Sequence, residues 1–385
     1  MIKLQGRRGM MIYFDNAATT KTKPEEVYKA FEYYIREIGV SPGRGSYSLG
    51  VSASRMLYQV RKKTGIFFGL ENPTNVIFTK NSTEAINLFF HGFLKTGDHV
   101  VISCYEHNAV LRPLHYLKSK GIIDYSVIQR DDLELIPEEL LDKYARPNTK
   151  VLALTLASNL TGRIIYKPEF FEEAKKRNIT TFLDASQGAG KITLSMKNSH
   201  IDYLAFTGHK DLMGLPGTGG LCCKDKEEIT PLLQGGTGIF GDNYMNPKVF
   251  PEGFEAGTLN MPAIWALGAA IDFCVQNKDE IYEKEKELVE LLLGQLCTIK
   301  NIIIYDYEFD RVGAVGFNID GYSSDEIVKY LDTRGICTRG GIHCAILAHE
   351  AIKTIKTGAV RISVNSFNTK DEIYEFIEIM KRLGE

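Results

Sequence analysis

The sequence predicts an α/β protein: a mostly parallel sheet covered by helices on both faces, followed by a smaller α+β unit. Three observations predict it. Short β-branched runs alternate with amphipathic helical stretches from about residue 24 to 225, the pattern of a buried parallel sheet. A Gly-, Asn- and Pro-rich stretch over 234–261 then breaks that rhythm. The 385 residues exceed what one ordinary layered core needs, which calls for two domains. The expected division is a large domain over 24–261 and a small one made of 11–23 plus 262–385.

The elements are expected in the following order. Residues 1–10 are polar and basic and read as an extension outside the fold. A helix over Ser52–Phe68 precedes a strand at Val76–Thr79, then a helix at Thr83–Leu94 and a strand at His99–Ser103. Lys150–Leu156 reads as a strand, Pro168–Arg177 as a helix, and Ile179–Leu183, Tyr203–Phe206 and Gly219–Cys223 as strands. The run Gln234-Gly-Gly-Thr-Gly-Ile-Phe-Gly opens a long ordered loop, and such loops are usually functional or interfacial. Helices follow at Ala263–Gln276 and Lys278–Cys297, the second with a charged face. The tail reads as strand Val312–Ile319, helix Ser324–Thr333, a turn-rich Arg339–Cys344, strand Ala359–Val364 and helix Lys370–Leu383.

Composition narrows the function. An apolar fraction of 44% and a charged fraction of 24% exclude a disordered chain. Lys+Arg 46 against Asp+Glu 48 leaves a net charge of −2, with no basic excess for nucleic acid or an acidic membrane. No apolar run has the length of a membrane span, and no secretory h-region opens the chain. The seven cysteines (104, 222, 223, 274, 297, 337 and 344) show no C-x-x-C spacing, so neither a disulfide framework nor a structural metal is expected. The expected setting is a reducing cytoplasm, with one reactive thiol and six buried ones. His91, His99, His115, His200 and His349 lack ligand spacing, so no metal site is expected.

Ligands of an open parallel sheet lie beyond the carboxyl ends of its strands. Five consecutive expected strands deliver polar groups there: Asn81-Ser82-Thr83-Glu84, Glu106-His107, Ser158-Asn159, Asp184 with Gln187, and Thr207-Gly208-His209-Lys210. An anion site, an imidazole, an amide, a carboxylate and an amine therefore converge on one edge. These groups suit pyridoxal 5′-phosphate (PLP). A lysine amine can hold an aldehyde covalently, and a buried carboxylate can keep a pyridine nitrogen protonated. A helix N-terminus with hydroxyls beside it can hold a phosphate.

At these residues the chain resembles a known family. Asp15-Asn-Ala-Ala-Thr-Thr20, Thr83-Glu-Ala-Ile-Asn87, Glu106-His107, Asp184-Ala-Ser-Gln187 and Thr207-Gly-His-Lys210 resemble the class V, fold-type I aminotransferase-like enzymes. Phe254-Glu-Ala-Gly-Thr258, Arg339-Gly-Gly-Ile-His-Cys344 and Arg361-Ile-Ser with Phe367-Asn-Thr369 resemble cysteine desulfurases and selenocysteine lyases. The short segment between Cys344 and Arg361 is similar to group II members. Ile342 and the pair Ile346-Leu347 depart from their pattern.

The resemblance implies a seven-stranded sheet, a PLP cofactor and a homodimer. It also implies roles. Lys210 would bind the cofactor covalently, Asp184 would face its ring nitrogen, and Gln187 its ring hydroxyl. His107 would stack on the ring as a catalytic group, and Asn159 would lie near ring and substrate. Ser82, Thr83, Thr207 and His209 would hold the phosphate, and Thr237 would reach the phosphate of the neighbouring subunit. Arg361 would clamp the substrate carboxylate as a planar, bidentate cation. Cys344 would take the sulfur of L-cysteine as a persulfide, its thiolate favoured by His343 and Arg339. A sulfur-acceptor protein is implied as a further partner, and iron–sulfur cluster assembly is one destination. Alternatives stay open: a selenocysteine lyase acting on L-selenocysteine, another class V enzyme such as an aminotransferase or β-lyase, and a non-catalytic sulfur relay.

Overall fold

The computed structural model describes residues 11–383 except 44, 46 and 226–228; the expected extension 1–10 lies outside the described residues. Strands in chain order are β1 (Ile12–Tyr13), β2 (Val76–Thr79), β3 (His99–Ser103), β4 (Asp124–Ile128), β5 (Thr149–Thr155), β6 (Thr180–Asp184), β7 (Tyr203–Thr207), β8 (Gly219–Cys223), β9 (Ile302–Ile304), β10 (Ala314–Ile319), β11 (Ile336–Cys337) and β12 (Val360–Ser363). Helices are α1 (Glu25–Tyr33), α2 (Ser48–Phe67), α3 (Ser82–Phe93), α4 (Asn108–Ser119), α5 (Pro137–Tyr144), α6 (Pro168–Lys176), α7 (Met261–Gln276), α8 (Lys278–Leu296), α9 (Ser324–Asp332), α10 (Ile346–Ala351) and α11 (Lys370–Lys381).

The chain forms two compact units. The larger comprises Thr22–Ala157 and Ile165–Lys278. The smaller comprises Ser158–Ile164 and the described parts of Met1–Lys21 and Asp279–Glu385. This corrects the expected boundary in three places, the first being residues 22–23, which belong to the larger unit. Helix α7 belongs to the larger unit, because its apolar residues pack with α1 and α2, as where Val27 meets Ala266 and Ala270. The turn 158–164, expected in the large domain, belongs to the smaller one: Ile164 N donates to Asp310 O at 2.9 Å and Val312 N to Gly162 O at 2.9 Å.

The larger unit is built on a seven-stranded sheet of order β2-β8-β7-β6-β5-β3-β4. Neighbours from β7 to β4 pair parallel, while β8 is antiparallel to both β7 and β2. Six strands therefore point one way, and their carboxyl ends share one edge. The central strands are buried along their whole length, as the absence of alternation in Val-, Ile- and Leu-rich runs predicts. Rings lock α3 onto the sheet: Phe89 stacks on Phe182 of β6 at 4.6 Å and lies 4.6 Å from Tyr203 of β7. The 234–261 loop is anchored from below. Glu255 forms a buried bidentate pair with Arg61 of α2 (2.6 and 2.8 Å) and accepts from Phe78 N at 2.7 Å.

The smaller unit carries a three-stranded antiparallel sheet β12-β10-β9 and a parallel pair β1-β11. Its core joins Phe14, Phe317, Ile362, Phe376 and Leu292. Serine and threonine capping boxes start α9 and α11 where Ser323 and Thr369 meet Glu326 and Glu372 three residues on.

Candidate active site

In the larger unit four of the five expected groups follow β2, β3, β6 and β7 at one sheet edge, while Ser158-Asn159 lies in the smaller unit. Lys210 lies in the turn after β7, half-buried, and both of its sequence neighbours are fixed. Lys23 Nζ donates to His209 O at 3.0 Å, and buried Asp211 pairs with buried Lys191 at 2.8 Å while accepting from Gly188 N. A turn braced on both sides fixes the backbone that carries Lys210. Burial and the Lys210 and Lys23 ammonium groups push the His209 imidazole down to about 4, so it is neutral at pH 7. A neutral imidazole can still donate one hydrogen bond to an anion.

Asp184 ends β6 beside β7, with Asp184 and Ala205 in register. Its carboxyl is buried, and Oδ1 accepts from the Ser186 N–H at 3.0 Å and from the Ser186 hydroxyl. Burial raises its pKa, while the Ser186 donors and the Lys210 ammonium pull the other way. Such a carboxyl awaits a cationic partner. Gln187 is buried in the same turn.

Helix α3 begins at the edge of β2, and its cap is Asn81, whose Oδ1 accepts from Glu84 N at 2.9 Å. That leaves the Ser82 and Thr83 hydroxyls out of the cap, beside backbone N–H groups the helix itself cannot pair. Gly219 of β8 makes room for this turn: a Cβ there would lie 2.6–2.7 Å from Asn81 backbone atoms. Thr207 is buried at the end of β7. His107 caps α4, its Nδ1 accepting from Ala109 N at 3.0 Å. The neutral ring therefore carries its proton on Nε2. Thr237 is half-buried and donates to Ile239 O at 3.1 Å.

The smaller unit holds Arg361, Asn159, His343 and Cys344. Arg361 is 1% exposed; Nη2 pairs with Asp15 Oδ1 at 2.5 Å and Nη1 donates to Asn159 O at 2.7 Å. Among the described residues its Nε finds no partner, and neither does Asn159 Oδ1, although both are buried. Orphaned buried donors and acceptors are costly, and the pair is suited to a carboxylate and an ammonium from a bound amino acid. Asn159 Nδ2 donates to His343 O at 2.7 Å, so this amide braces the cysteine segment.

Cys344 is exposed and a free thiol. Both His343 and Cys344 adopt left-handed backbone (φ +54° and +56°), a costly conformation for side-chain-bearing residues. The strain lifts Cys344 out while His343 turns inward. His343 Nε2 donates to Ala359 O at 2.9 Å, and its ring stacks on His349 at 5.8 Å. Burial and the Arg361 field push its imidazole down to about 3. The expected help from a charged His343 is thereby corrected: it is neutral, and Arg339 is the remaining cation near Cys344 in sequence. The expectation of six buried cysteines is corrected as well, since Cys297 is exposed and Cys337 half-buried.

Sequence reasoning assigned no role to Asp15, Lys23, Lys191 or Asp211. Asp15 opens the Asp-Asn-Ala-Ala-Thr-Thr run and could have been suspected; Lys23 and Lys191 carry no local signal.

Comparison with known proteins decides the family. Residues 12–376 match the family Aminotransferase class-V. The chain belongs to this family. It is 32% identical to a probable cysteine desulfurase of Methanothermobacter thermautotrophicus, over 97% of this chain and 94% of the relative. A probable cysteine desulfurase of Halalkalibacterium halodurans is 31% identical over 94% of this chain and 90% of its own length. Among solved structures, the apo cysteine desulfurase of Thermococcus onnurineus NA1 superposes with a TM-score of 0.89 at 30% identity, covering 97% of this chain and 94% of that one. No helix among the described residues is long and apolar enough to cross a membrane.

Proposed function

We propose that this class V family member is a PLP-dependent cysteine desulfurase, converting L-cysteine to L-alanine and carrying the sulfur away as a Cys344 persulfide. The observation that carries the reading is the convergence, on one sheet edge, of the Lys210 amine, the buried Asp184 carboxyl and the α3 N-terminus. These fit the aldehyde, ring nitrogen and phosphate of PLP by donor chemistry alone. The names borne by the similar proteins favour this reading over a selenocysteine lyase. They also favour it over an aminotransferase or a relay, and a relay would need none of Lys210, Asp184 and Arg361.

Lys210 would hold the cofactor and afterwards carry the substrate α-proton. Asp184 would keep the ring nitrogen protonated, Gln187 would donate to the ring oxygen, and His107 would lie on the ring face. Ser82, Thr83, Thr207 and His209 would hold the phosphate. When bound, the cofactor supplies an electron sink for the substrate carbanion. Arg361, its orientation set by Asp15, would take the substrate carboxylate. The substrate carbon–sulfur bond breaks, a sulfur–sulfur bond forms at Cys344, and the product carbon takes up a proton. The test is a substrate panel read as alanine release. L-Cysteine should be turned over by the wild type, and Arg361→Ala should bind it more weakly by about 2–5 kcal/mol while retaining PLP. Turnover of L-selenocysteine without L-cysteine would move the reading to the lyase, and wild-type affinity in Arg361→Ala would place the clamp elsewhere.

We further propose a homodimer in which Thr237 serves the neighbouring subunit, working in the cytoplasm with a sulfur-acceptor protein. In support, the larger unit exposes a run of apolar side chains around Thr237: Phe240, Tyr244 and Met245 in the loop, with Tyr58 of α2 across a cavity of about 230 Å³. Light scattering at micromolar concentration should give the mass of two chains. A monomer with cofactor fully bound would sink the dimer.

A further inference from the structure

We propose that Glu106 works as an uncharged carboxylic acid that ties the ends of β3 and β5 together and thereby positions His107. The side chain is 0% exposed. Its Oε1 accepts from the Ser103 hydroxyl at 2.6 Å and from Thr155 N at 2.8 Å, bridging two neighbouring strands at the edge where the polar groups gather. Its Oε2 has no partner among the described residues, and no ion pair reaches the carboxyl.

A buried carboxylate is tolerated when cations or several donors surround it. Glu106 has two neutral donors, and the charged group facing it is another acid, Asp184. That residue ends β6 on the far side of β5, in register with Thr155. Desolvation, reinforced by Asp184, pushes Glu106 up to about 8 against the pull of its Ser103 and Thr155 donors. Asp184 also has two donors, both from Ser186, and its carboxyl is likewise raised by burial, but it has the Lys210 ammonium in its field. Of the two acids at this edge, Glu106 is the one with no cation beside it among the described residues.

The consequence reaches His107, the next residue. Its backbone is held on one side by the Glu106 bridge and on the other by its own cap on α4. An imidazole so fixed presents its Nε2–H in one direction. This last step rests on the cofactor reading above; the protonation of Glu106 does not.

The sign of the pH effect follows from where the proton is bound. Between the unfolded value of 4.5 and the folded value of about 8, the native chain holds a proton that the unfolded chain has lost. Stability from this group is present below pH 4.5 and falls as pH rises through the window, by about tenfold in the folding constant per pH unit. It levels off above the folded value. Glutamine reproduces the shape of the neutral acid and cannot titrate.

The test compares wild type, Glu106→Gln and Glu106→Ala. In urea unfolding of the apoprotein from pH 5 to 9, the wild-type midpoint should fall relative to Glu106→Gln as pH rises to about 8, then run parallel. In the holoenzyme, Glu106→Ala should lose kcat by about tenfold or more with PLP retained, and Glu106→Gln should restore it. Parallel wild-type and glutamine courses across the whole range would overturn the uncharged state, and a wild-type kcat in Glu106→Ala would overturn the positioning role. If the alanine variant does not fold, Glu106→Asp, which withdraws the carboxyl from Thr155 N, is read by the same criteria. Should the wild type itself not turn over L-cysteine, the functional reading fails, while the unfolding course still decides the state of Glu106.

Discussion

Cys344→Ser should bind PLP and L-cysteine yet release alanine on the order of 10³-fold more slowly, with no persulfide on the protein. A serine hydroxyl is a poor nucleophile toward sulfur at neutral pH, whereas cysteine sulfur is a good one. The backbone makes the residue expendable for the fold: Cys344 is exposed, and the left-handed pair His343-Cys344 is held through the Asn159–His343 and His343–Ala359 hydrogen bonds rather than through the thiol. A serine variant therefore tests chemistry and not folding. L-Selenocysteine offers a control, because its weaker carbon–selenium bond can break without the thiol. Retained selenocysteine lysis with lost desulfuration fits the same site. Unchanged alanine release from L-cysteine, measured by mass spectrometry of product and protein, would make Cys344 a spectator.

Lys210→Ala should remove both the covalent hold on PLP and the proton carrier. The yellow visible band of the wild type should vanish. Turnover should drop by at least the 10²–10⁴-fold that general acid–base groups typically supply. The braces on either side of Lys210 are formed by the His209 carbonyl and the Asp211 carboxylate, neither of which needs the amine. The variant should fold with wild-type secondary structure by circular dichroism. A borohydride-reducible cofactor adduct persisting in Lys210→Ala would assign the anchor to another lysine, and Lys23, buried and pushed down to about 8, is the first to examine.

The sheet was legible from residue types because most of its strands are buried on both faces. A strand buried on both faces must be apolar without alternation, so Val76–Thr79, His99–Ser103 and Gly219–Cys223 were readable to the residue. β4 was not, since Asp124–Ile128 is only half-covered and needs no such run. The candidate site was readable for the same reason. Polar residues directly after buried strands have one edge to occupy, which is how Asp184, Lys210 and His107 could be chosen before any coordinates.

Tertiary structure alone decided the charge states and the partners, because these depend on burial and on contacts remote in sequence. Arg361 meets Asp15 across 346 positions, and nothing local marks that pair. His343 sits beside a cysteine and looked like a thiolate's helper, yet burial and the Arg361 charge make it neutral. Glu106 carried no assigned role in the sequence, and the strand ends around it leave it no cation among the described residues. Periodicity and residue type record which face of an element is buried. The cost of burying a charge depends on what the fold places opposite it.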